Sequence, residues 1–146
     1  MLDLLAAAMM LMPQASANWQ VIDINNDLRR VLTVDIASKP VAPKPDAIVK
    51  ARIFVTLDDP GMSALTGHWY IDCGKNLHRV SDTALYDKAG QLGEADPEPL
   101  PWEPTIAGSL FASVTDYVCR GAIHHPGKTA TGSAPIAAAN AFLTAR

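Results

Sequence analysis

IVKARIFVTL, residues 48–57, decides the fold. Side chains alternate across an extended chain, so Val49, Ala51, Ile53, Val55 and Leu57 fall on one side, and Lys50, Arg52 and Thr56 on the other. A run this long and this two-sided predicts a central strand of an antiparallel sheet, with one dry and one wet face. Asp58-Asp59-Pro60-Gly61 ends it with turn chemistry.

Upstream, WQVIDI (19–24) and RVLTVDI (30–36) repeat the period of two around a turn-prone Asn25-Asn26-Asp27. The proline-rich KPVAPKPD (39–46) then interrupts any ladder. Downstream, HWYIDC (68–73) sets Trp69, Ile71 and Cys73 on one face and His68, Tyr70 and Asp72 on the other. Residues 77–86 predict a further strand. Asp87-Lys88-Ala89-Gly90 predicts a hairpin loop with glycine in a left-handed position, and a return strand begins near Gln91. A second proline-rich stretch, DPEPLPWEP (96–104), predicts a rigid loop tucking Trp102 against the sheet.

The period then changes. Within SLFASVTDYVCR (109–120), Leu110, Phe111, Val114 and Val118 form an apolar stripe at helical spacing, Ser109 is a plausible N-cap and Gly121 a natural stop. From Ala122 the tail is rich in Gly, Thr and Ser, and residues 135–146 predict a short Ala-rich helix, loosely docked. The expected fold class is α+β: an antiparallel sheet of about six strands with one helix on one face, the other face left to solvent.

The chain has 146 residues, 49% of them apolar and 18% charged, with a net charge of −3. That predicts a single globular domain. Its scattered basic residues form no stripe of the kind that neutralises phosphates, so nucleic acid is not an expected partner. Residues 1–17 read as a signal peptide: an apolar run over 4–12, a break at Pro13, and Ala15-Ser16-Ala17 before a cut ahead of Asn18. The run is too short for a stable transmembrane span, which needs ~20 residues. Asp3 stands where a signal peptide usually carries Lys or Arg, which leaves a buried N-terminal helix as the other reading. No cysteine follows the cut, so a lipid anchor is not expected.

Cys73 and Cys119 are the two cysteines. In an exported chain an even pair reads as a disulfide. A helix laid over the sheet would carry Cys119 toward Cys73. Two independent buried thiols are the alternative.

Motifs for chemistry are incomplete. Gly121 and Gly127 are separated by five residues rather than the four a phosphate loop needs ahead of Gly127-Lys128-Thr129. His68, His78, His124 and His125 have no metal-ligand spacing, and Asp58-Asp59 reads as a turn. Ser63 lacks the second glycine of a nucleophile elbow. No catalytic residue, metal site or cofactor is therefore expected. The candidate binding surface is a basic patch of Lys50, Arg52 and Arg79 on the wet sheet face. Exposed edges offer a second route, to a partner strand or a homodimer.

The ordered set VKARIFV, IDCGKNLHRV, YDKAG, a Trp-containing loop and GSLFASVTDYVC resembles the surface-adhesin protein E family of bacterial envelope proteins. Trp19 near the mature start fits as well. That resemblance implies an antiparallel sheet flanked by a helix, with the two cysteines bridging them, and an adhesive role at the bacterial surface. The expected function is an exported, non-enzymatic protein, periplasmic or at the cell surface, binding a protein or envelope component. A periplasmic small-molecule binder or hydrolase, with a pocket between sheet and helix, is the second expectation.

Overall fold

The computed structural model describes residues 17–144. Its strands are β1 (Asn18–Asn25), β2 (Arg30–Asp35), β3 (Ile48–Asp59), β4 (Met62–Asp72), β5 (Leu77–Tyr86), β6 (Leu92–Asp96), β7 (Glu103–Pro104) and β8 (Thr129–Thr131). Two helices, α1 (Leu110–Arg120) and α2 (Ile136–Asn140), and a 3-10 turn (Ile36–Ser38) complete the described elements.

The two-sided β3 lies in the middle of a single antiparallel sheet ordered β6-β5-β4-β3-β2-β1-β8, with β7 paired to β5 beside β6. β1 to β6 follow one another as antiparallel neighbours; four of their links are short turns, and residues 36–47, with the 3-10 turn and the proline-rich stretch, make the longer β2–β3 connection. The β5–β6 hairpin closes as its sequence predicts. Gly90 is left-handed, with φ 78°, and its N–H donates to the Asp87 carbonyl oxygen at 3.0 Å.

One face forms the main core. Leu32, Val34, Val49, Ala51, Ile53, Val55, Trp69 and Ile71 pack there under Val114, Tyr117 and Val118 of α1. The helix begins where Ser109 Oγ accepts from the Ala112 N–H at 3.2 Å, and it ends at left-handed Gly121. Tyr117 is buried with the apolar stripe, and desolvation raises its phenol pKa. The Cys73–Cys119 disulfide joins the end of β4 to the last turn of α1 across 5.8 Å between Cα atoms.

Several expectations are corrected. The sheet has eight strands rather than about six, whereas the second helix, α2, falls within the 135–146 stretch expected to form a short helix. β4 starts at Met62, six residues before the expected His68, because its first half continues the β3–β4 hairpin. β8 pairs with β1 and extends the sheet past the expected edge.

The face opposite α1 is not left wholly to solvent either. Trp19, Phe54, Val21 and Val31 point to that side and are fully buried, because the C-terminal segment folds back over them. Trp19 Nε1 donates to the Gly132 carbonyl oxygen at 2.7 Å, and Ala139 of α2 is fully buried. The tail is thus docked by buried apolar surface and a hydrogen bond, not loosely.

The expected signal peptide lies outside the described residues except for Ala17. Ala17 is buried beside Trp19, Phe54, Ala64 and Ala130, and its carbonyl oxygen accepts from the Gly132 N–H at 3.3 Å. A cut before Asn18 would remove those contacts.

Candidate functional site

The part of the second face that the tail leaves open carries all three cations of the predicted patch. Antiparallel register aligns them in two rows. Lys50 of β3 stands opposite Tyr70 of β4, which stands opposite Arg79 of β5. Arg52 stands opposite His68, which stands opposite Ser81. Successive same-face residues on a strand are about 7 Å apart, and alternate strands about 10 Å, so the cations outline a small triangle.

Aromatic rings hold these charges in place. Lys50 Nζ lies 5.8 Å from the Tyr70 ring centre. The Arg79 guanidinium lies 5.6 Å from Tyr70 and 5.6 Å from Trp102. Arg52 lies 5.2 Å from the Trp19 ring. Each is within reach of the ring quadrupole, which attracts a cation without neutralising it. Lys50 is exposed, Arg52 and Arg79 half-buried. Trp102 reaches the sheet as its loop predicts, but over Arg79 rather than in the core, and it stays 36% exposed.

A bulge completes the second row. The β4–β5 register shifts between Thr66 and His68, and Asp82 on the facing strand takes a left-handed backbone, φ 52°. Bulges re-aim side chains. Here the Asp82 carboxylate comes within 3.0 Å of His68 Nδ1 and accepts from Ser81 Oγ at 2.9 Å. The His68 and Ser81 hydrogen bonds hold the Asp82 pKa below its ordinary value, with smaller help from the charges of His68 and Lys50.

Lys50, Arg52 and Arg79 were legible in the sequence as wet-face residues. Their connection to Tyr70, His68, Asp82 and Trp102 was not, because the cross-strand register and the Asp82 bulge decide it. The hairpin turn after β3 was the available signal for Tyr70, but a second bulge, between Thr56 and Asp59, shifts the register there by one residue.

The remaining candidates serve the framework. His78 is buried on the opposite face, stacked on Phe111 with ring centres 3.6 Å apart, and its Nδ1 lies 3.0 Å from Thr105 Oγ1. Burial lowers its pKa, against the opposing charge of Glu103, whose Oε2 lies 3.9 Å from Nε2. Ser63 Oγ donates to the Asp87 carbonyl oxygen at 2.6 Å. The His125 carbonyl oxygen accepts from Gln20 Nε2 at 2.8 Å, so the His124-His125 turn delivers the chain into β8. Asp59 Oδ1 accepts the Gly61 N–H at 3.0 Å, which is turn chemistry as expected. Among the described residues no three His, Cys, Asp or Glu side chains gather as a metal ion would need, and no helix is long and apolar enough to cross a membrane.

The space between sheet and α1 is filled by the main core. The cavities beside that helix lie at its margins: about 400 Å³ near the disulfide, Pro43 and Pro45, and about 310 Å³ near Asn76, Thr105 and Asp116. No family model, no curated protein and no solved structure matches the chain.

Proposed function

We propose that this chain is an exported, non-enzymatic binding protein of the bacterial envelope, resembling the surface-adhesin protein E family, that holds an anionic protein or envelope component against its open sheet face. One observation carries the reading: Lys50, Arg52 and Arg79 lie on the same open sheet face, each beside an aromatic ring. Rings fix the cations and lower the entropy lost on binding, while leaving their charge available. A face of this kind contributes on-rate and specificity toward an acidic surface. The disulfide supports an oxidising compartment, as does the signal-like start of the sequence. A non-enzymatic role is supported by the framework duties of Ser63, His78 and the cysteines.

Affinity capture from envelope extract, with the wild-type protein beside a K50E/R52E/R79E variant, tests the proposal. The expected outcome is a reproducible acidic partner whose affinity falls with salt and drops at least ~10-fold in the triple variant. A partner retained equally by both proteins would refute the assignment of this face.

A further inference from the structure

A second feature lies at the other end of the sheet, where the β1–β2 turn, the start of β4, the β5–β6 turn and the C-terminal segment meet. They enclose a bowl of about 480 Å³. That volume is within the usual range for small-molecule sites, and the bowl is open, with more polar than apolar surface in its lining. Leu57, Ile136 and Leu143 supply the apolar wall. Arg29, Lys88, Ser63 and Asn140 bring polar groups from four separate elements.

The charge in the bowl is unequal. Lys88 Nζ lies 3.8 Å from Asp58 Oδ1, a half-exposed pair. Arg29 donates through Nη1 to the Thr144 carbonyl oxygen, a neutral acceptor, so its positive charge is not spent there. Among the described residues that line the bowl, two cations, Arg29 and Lys88, stand with one carboxylate, Asp58. Arg29 also holds a left-handed backbone, φ 55°. Glycine or asparagine fits such a corner without strain, and strained backbone of this kind concentrates at binding sites.

We infer that this bowl binds a small organic anion with an apolar body, its charge held between Arg29 and Lys88 and its body against Leu57, Ile136 and Leu143. Asn140, at the rim, is placed to add a hydrogen bond, while the hydroxyl of buried Ser63 is already committed to the Asp87 carbonyl oxygen. The site is separate from the Lys50, Arg52 and Arg79 face and does not depend on it.

Titration of the isotopically labelled protein with octanoate, followed by amide NMR, tests the inference. Saturable shifts are expected at Arg29, Ser63, Lys88 and Asn140, with octanol binding at least ~10-fold more weakly. R29Q and K88Q should each weaken octanoate by about tenfold, and R29K should recover part of the loss. Arg29 also tethers the tail, so R29Q alone could act through the fold. K88Q, at an exposed hairpin, keeps the test decisive. Octanoate and octanol binding alike, wild-type binding in K88Q, or no saturable shifts would each overturn the inference. Shifts confined to Lys50, Arg52 and Arg79 would also overturn it while leaving the sheet-face proposal standing. Octanoate binding unchanged in K50E/R52E/R79E is the expected sign that the two sites are independent.

Discussion

Arg79 lies between the rings of Tyr70 and Trp102, and His78, its neighbour in sequence, lies under Phe111 on the other side of the sheet. Alternation alone places this pair on opposite faces, and that much was legible from the sequence. What each touches was not. A one-residue slip exchanges faces, and bulges after Thr56 and beside Asp82 set the register that no local pattern announces. His78 gives a prediction at this scale. Its folded-state pKa is lowered from 6.5 by burial, so the unfolded chain binds the proton more readily. Stability is therefore full above the unfolded value and falls as pH drops from about 6.5 toward the lowered one. Urea unfolding at pH 7.5 and 5 should show this loss in the wild type. H78F, which keeps a ring against Phe111, should flatten the dependence between those pH values. An unchanged slope in H78F would assign the effect to other groups.

The long elements were legible because their period was strong. β3 carries it over its whole length, and α1 has a cap, a stripe and a glycine stop that agree with one another. β8 escaped because three residues, Thr129–Thr131, carry no usable period, and β7 is shorter still. β8 exists because β1 offers it an edge, and the Val21 N–H donates to the Lys128 carbonyl oxygen at 2.9 Å as the chain arrives. The disulfide is the prediction that belongs to elements. It closes a separation of 46 residues between β4 and α1. Chain entropy assigns that closure about 4 kcal/mol. C73S/C119S should unfold at correspondingly lower urea, with α1 the first element to lose amide protection. Equal midpoints with and without reductant in the wild type would refute this.

At the scale of the molecule, the sheet buries both faces by different means: α1 on one, the C-terminal segment on part of the other. Composition predicted a single domain but not this second cover. Gly-, Ala- and Ser-rich segments dock through contacts they receive rather than through a pattern they display. Deletion after Thr131 should uncover Trp19 and Phe54, shift tryptophan emission to the red and cost ~3–5 kcal/mol, given the partial burial of Ile136, Phe142 and Leu143. An unshifted spectrum would mean that the tail does not shield Trp19 in solution. The disulfide has a further consequence when the chain is pulled from its ends. Force applied at the C-terminus unpeels α2 and β8 and then meets the Cys73–Cys119 bond, which passes the load directly from the helix to the end of β4. Residues 73–119 lie outside that path. Some 160 Å of contour length stays hidden behind a covalent link, and β5, β6 and β7 are spared the tension. Under load the bond acts as a mechanical shunt.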